Sequence, residues 1–184
     1  MKAVTQMRRL ALALGGLMLG LALPAAAQDD IVEKIINNPS PTSYTVYGLP
    51  KPPKVRNDPT VQGEKSLRID IPGASPNAYA VGLQDPILKP VKAGDKLVLA
   101  FWARFEKAEG ATVNLANASV QLAKAPYTGL FGKSFAIGPE WKMYTVEGKV
   151  DRGYAAGEIN ISMHLATGKQ TVDVGPIFLL NMGQ

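Results

Sequence analysis

The 184-residue chain has no cysteine and a single histidine, His164. The first absence excludes a disulfide framework, a thiolate nucleophile, a lipid-attachment cysteine and any cysteine-based metal site. The second excludes any site that needs two imidazoles. The sequence also lacks a G-x-S-x-G turn, a paired-histidine zinc motif and a glycine-rich phosphate loop. No long apolar run occurs beyond Leu23, so no membrane span is expected. Excess charge of one sign is missing too. Three of the twenty Lys and Arg residues (Lys2, Arg8, Arg9) precede Gln28 and all fifteen Asp and Glu residues follow it, which leaves a net charge of +2 beyond that point. The pI near 9.4 therefore gives little support to a nucleic-acid partner, and none is expected.

What is present begins with an export signal. Lys2, Arg8 and Arg9 form a basic start, Leu10 to Leu23 an apolar stretch, and Pro24 leads into Ala25-Ala26-Ala27, whose small side chains suit cleavage before Gln28. The expectation is an exported protein, periplasmic or secreted, with residues 1–27 removed. Ile31, Val32, Ile35 and Ile36 then recur near helical spacing and predict a short helix over Asp29 to Asn38. The next stretch, Asn38 to Pro59, holds prolines 39, 41, 50, 52, 53 and 59 around Tyr44 to Tyr47. Prolines have no N–H for a central ladder, so this stretch reads as extended chain with at most an edge strand.

From residue 60 onward the hydrophobic period is two. Leu67, Ile69 and Ile71 alternate with Ser66, Arg68 and Asp70, and Tyr79, Val81 and Leu83 alternate with Ala80, Gly82 and Gln84. Leu97, Leu99, Phe101, Ala103 and Phe105 line one side of a further strand. More strands are expected over Val113 to Leu122, Trp141 to Val150, Glu158 to Ala166 and Thr171 to Leu180, separated by turn signals such as VKAGDK and DRGYAAG. AKAPYTGLFGKSFAIGPE reads as a long loop. The predicted domain, 60–184, is an all-β jelly-roll sandwich of about eight antiparallel strands.

The runs PVKAGDKLVLAFWARFE, PEWKMYTVEGKV and EINISMHLATGKQTVDVGPIFLLNMG resemble the galactose-binding-like jelly rolls of CenC-type carbohydrate-binding modules, over roughly Gln62 to Gly183. Such modules often accompany xylanases and other glycoside hydrolases. The resemblance implies non-catalytic sugar binding on the concave sheet or at its rim; a separate carbohydrate-active enzyme is a candidate partner. It implies a structural role for Trp141. It also brings in a structural calcium, for which Asp173 is the candidate ligand here, although the asparagine-glycine-phenylalanine-glutamate-like opening of the family is replaced by Asn37-Asn38-Pro39.

Parity identifies the binding candidates. Phe101 and Trp102 are neighbours in a strand and point to opposite faces. If Phe101 joins the core layer, Trp102 and Arg104 face away from it, as do Arg68, Gln84 and His164, with Tyr127 at a loop rim. An indole, guanidinia, an amide and an imidazole are groups that bind sugar rings and hydroxyls. The bland alternatives are a solvated face and an indole packed under a loop. Two rival functions remain: an envelope structural or protein-binding sandwich, and a small polysaccharide-active enzyme, for which Asp70 and Glu147 are strand carboxylates not shown to converge. Mass spectrometry of the native protein should find Gln28, or a residue within a few positions, at the N-terminus; an intact Met1 would contradict export.

Overall fold

A computed structural model describes residues 25–108 and 113–184. The basic and apolar zones of the expected export signal lie outside the described residues. Helix α1 (Ala25–Lys34) ends before the predicted Asn38. Ile35 and Ile36 leave the helix because an extended backbone finds partners here: Ile35 bridges Leu180, and the Ile36 N–H donates to the Leu179 carbonyl at 2.9 Å.

Among the described residues ten strands follow: β1 (Thr45–Tyr47), β2 (Lys54–Asn57), β3 (Lys65–Ile71), β4 (Gly82–Pro86), β5 (Lys96–Ala108), β6 (Val113–Leu122), β7 (Gly129–Ile137), β8 (Lys142–Lys149), β9 (Ile159–His164) and β10 (Gln170–Asn181). They form two five-stranded antiparallel sheets. The first has the order β1-β4-β9-β6-β7 and the second β2-β3-β10-β5-β8. The all-β sandwich expected from the period of two is present. The proline-rich segment supplies the edge strands β1 and β2, one to each sheet, where a missing N–H is tolerated.

The core lies between the sheets. Leu97, Leu99, Phe101 and Ala103 of β5 are fully buried and share one core cluster with Leu115 and Val120 of β6 and Ile159, Ile161 and Met163 of β9. Phe101 meets Phe135 edge-on at 5.2 Å and stacks on Tyr144 at 5.6 Å. Phe135 belongs to β7, a strand absent from the sequence reading, which placed a long loop there. Gly129 and Gly132 masked the period of two, visible in Phe131, Lys133, Phe135 and Ile137. Gly132 is required by packing, because a Cβ there would lie 2.4 Å from that of Ser119.

The N-terminal segment joins the two sheets. Asn37 bridges Ile87, just beyond β4. Its side-chain amide donates to Asp85 Oδ2 at 2.6 Å and to the Ile177 carbonyl at 2.8 Å, while its oxygen accepts the Leu179 N–H at 2.7 Å. Tyr44 does a related job where β10 is irregular around Gly175 and Pro176: its hydroxyl accepts the Ile177 N–H at 2.7 Å and donates to the Pro39 carbonyl at 2.7 Å. Asp85 is an unusual acid here, fully buried and with Oδ1 unpartnered among the described residues. Burial pushes its carboxyl up to about 6, with the Asn37 hydrogen bond opposing the shift.

A carboxyl whose folded pKa exceeds its unfolded one binds more protons when folded, so stability falls as pH rises. For Asp85 the loss begins near the unfolded value and is complete once pH has passed about 6. The stability difference between Asp85→Asn and the parent should therefore move in favour of the variant by on the order of 2–3 kcal/mol between acid and neutral pH. Denaturant titrations across that range would show it, and a difference independent of pH would contradict it.

Candidate functional site

The two outer sheet faces have opposite chemistry. On the β2-β3-β10-β5-β8 sheet, Asp173 of β10 lies between Arg68 of β3 and Arg104 of β5, its cross-strand neighbours. Asp173 has no solvent exposure. Arg68 grips it in a fork, Nε to Oδ1 and Nη2 to Oδ2, both at 2.8 Å; Arg104 Nε reaches Oδ2 at 3.2 Å. Arg104 also donates to Asp58 Oδ2 at 2.9 Å and lies over the Trp141 ring at 4.8 Å, while Arg68 and Arg56 pair with Glu106. The three arginines meet three carboxylates.

This face is covered by the segment just after β2. The Trp102 indole N–H donates to Gln62 Oε1 at 2.8 Å, and that of Trp141 to Asp58 Oδ2 at 3.3 Å. At Gly175 a Cβ would come within 2.9 Å of Val61 and 3.0 Å of Trp102, so glycine lets the cover approach the sheet. Burial opposes the charge on Asp58, but hydrogen bonds from Thr60, the Arg104 guanidinium and the Trp141 N–H outweigh it and hold the carboxyl below its usual range.

The outer face of the β1-β4-β9-β6-β7 sheet has no charged strand residue in its centre. One cross-strand row runs Tyr47, Gly82, His164, Asn117; the next runs Thr45, Gln84, Ser162, Ser119; a third pairs Asn160 with Gln121. The lack of a side chain at Gly82 makes room for Tyr47, whose hydroxyl would lie 2.3 Å from a Cβ there. Asn117 donates to the Ser119 hydroxyl at 3.0 Å. Ser162 Oγ and Asn160 Oδ1 are buried with no partner among the described residues.

Tyrosines ring this face. Tyr79 meets His164 edge-on at 6.0 Å and is 55% exposed; Tyr127 is 54% exposed. Tyr127 has φ +56°, a left-handed conformation that costs a non-glycine residue about 1–2 kcal/mol. Burial raises the Tyr47 phenol, and the nearby Tyr127 adds to the shift. Burial lowers the His164 pKa, so its imidazole is neutral at neutral pH.

No family model matches the sequence, and no curated protein matches it. Solved structures do. A CBM4 structure superposes with a TM-score of 0.58 at 19% identity, over 77% of this chain and 96% of its own. The N-terminal cellulose-binding domain of a Cellulomonas fimi β-1,4-glucanase gives 0.56 at 17%, over 79% and 92%. The CBM22-1 xylan-binding domain of a Paenibacillus barcinonensis protein gives 0.55 at 9%, over 82% and 93%. The fold is that of carbohydrate-binding modules.

Within this module fold the five residues singled out by parity, with Tyr127, do not form one groove. Phe101 faces the core and Trp102 faces out, as parity requires. However, Arg68, Trp102 and Arg104 lie on the outer face of one sheet, and Gln84 and His164 on the outer face of the other, with Tyr127 at its rim. Alternation fixes which side of its own strand a residue takes, not which sheet the strand joins. Asp173 does not fit a calcium ligand, because two guanidinia already occupy its oxygens. Asp70 and Glu147 are far apart: their cross-strand rows reach β5 at Lys107 and Val98, roughly 30 Å apart at about 3.3 Å per residue. Tyr47, Asn117 and Ser119 were missed. Tyr47 belonged to a segment read mainly from its prolines, and Asn117 lies at a bulge that breaks strict alternation.

The arginine face predicts a stability effect. Asp173→Ala would leave two partly buried guanidinia without their shared carboxylate and should destabilise the fold by about 3–5 kcal/mol, the range for breaking a buried ion pair. Chemical denaturation measures this; a loss below about 1 kcal/mol would show that the network is a solvated surface.

Proposed function

We propose that the chain is an exported, non-catalytic carbohydrate-binding protein that holds a neutral polysaccharide or oligosaccharide on the outer face of the β1-β4-β9-β6-β7 sheet. The observation that carries this reading is an uncharged sheet face with rows of amides and hydroxyls, two of its buried polar atoms unpartnered, and tyrosines around it. A pyranose offers an apolar C–H face to aromatic rings and hydroxyls to planar polar groups, and this surface presents both kinds of partner. The neutral His164 ring beside Gly82 can donate or accept a hydrogen bond without attracting an anion.

Two of the similar structures are called cellulose-binding and xylan-binding, which supports a β-linked plant polysaccharide as the ligand class. A non-catalytic role is supported by the distance between Asp70 and Glu147, since glycosidase carboxylates stand within roughly 10 Å of each other. The arginine face is assigned a structural role.

Affinity electrophoresis in xylan and soluble β-glucan, together with thermal melting, tests the assignment. Tyr127→Ala and Gln84→Ala should each weaken binding by at least about 1 kcal/mol while changing stability by no more than about 0.5 kcal/mol. Trp102→Ala should lower stability and leave the affinity of the folded protein unchanged. Affinity lost in Trp102→Ala but kept in the other two would move the site to the arginine face. Absence of binding to every neutral glycan would favour an envelope protein-interaction role.

A further inference from the structure

One cavity belongs to neither outer-face centre. About 690 Å³ in volume, it lies at one end of the arginine-bearing sheet, where the proline-rich segment crosses the ends of β3, β5 and β10. Four lysines surround it: Lys51 and Lys54 from the proline-rich side, Lys107 from the end of β5, and Lys169 from the turn before β10. All four are exposed, and none forms an ion pair among the described residues. The single carboxylate in the lining, Asp70, accepts a hydrogen bond from Thr171 at 2.8 Å. The pocket therefore carries a local excess of three positive charges, whereas the chain beyond residue 27 carries only +2 in all. Its walls are largely apolar and stiff: Pro50, Pro52, Pro53 and Pro72, with Ile71 and Ala108.

We propose that this pocket is a second glycan site, selective for carboxylate-bearing sugars, and that it binds a uronate-containing polysaccharide. The sugar part of the proposal rests on the carbohydrate reading above; the charge part rests on the pocket itself. The volume falls within the range of small-molecule sites, roughly 300–1,000 Å³. Proline rings fixed in place present C–H surfaces to the apolar side of a pyranose at little entropic cost. Separate ammonium charges, with no arginine fork, match carboxylates spaced one per sugar along a chain better than one dense phosphate. A single-stranded nucleic acid would need stacking rings, and the lining has none.

Isothermal titration of the protein with polygalacturonate and with alginate tests this, beside three controls: fully methyl-esterified polygalacturonate, which keeps the sugar and loses the charge; polyphosphate, which keeps the charge and loses the sugar; and neutral xylan. Binding to at least one uronate polymer is expected, weakening as salt rises from about 50 to about 300 mM. Lys107→Ala/Lys169→Ala should weaken it about tenfold, the loss of two exposed ion pairs, and leave xylan binding unchanged. No binding to either uronate polymer, equal binding to the methyl ester or to polyphosphate, or an unaltered double variant would overturn the second site. The xylan arm reports separately on the neutral face.

Discussion

A carboxylate with no access to water sits in the middle of one sheet, and much of the molecule is arranged around it. The burial of Asp173 is offset by Arg68 and Arg104, which reach it from the strands on either side. Those guanidinia then need partners of their own. Asp58 and Glu106 supply them, and the Asp58 to Gln62 segment brings Val61 against Gly175 and a hydrogen bond to Trp102. The result is a face closed by its own chain, with its polar groups directed at one another.

The opposite sheet shows the contrary arrangement. Its outer rows are uncharged, Tyr47 and Ser119 pack against the bare backbone of Gly82 and Gly132, and Ser162 Oγ and Asn160 Oδ1 lack a partner among the described residues. A face that meets its own hydrogen-bonding needs has little left for a ligand, and the proposed carbohydrate site lies on the other sheet. The N-terminal segment reinforces the division. It contributes β1, with Tyr47, to the uncharged face and β2, followed by the covering loop, to the closed one, and Asn37 ties β4 of one sheet to β10 of the other.

Much of the fold was legible because two-residue alternation is a direct record of a strand with one buried side, and β3, β5, β6 and β10 were placed from it. Strand β7 was hidden by Gly129 and by Gly132, the latter demanded by packing against Ser119. The site was harder to read. Parity separated Phe101 from Trp102 correctly, yet Trp102 and His164 look alike in sequence as outward residues with polar neighbours. Their difference lies in sheet membership, set by long-range pairing with no local signature, and in the cover over Trp102, supplied from forty residues away. Arginine and tryptophan suggested recognition; here they serve a buried carboxylate and the segment that closes over it.

The placement of aromatic residues provides a direct test of the division between the two faces. The only histidine lies on the open face, and both tryptophans, each donating its indole N–H to the covering segment, lie on the closed one. Proton NMR therefore resolves the two faces through three signals. Titration with a neutral xylo- or cello-oligosaccharide should shift the His164 ring resonances and leave both indole N–H resonances in place. Shifts of the Trp102 or Trp141 indole signals, with His164 unmoved, would contradict the assignment of the ligand to the uncharged face.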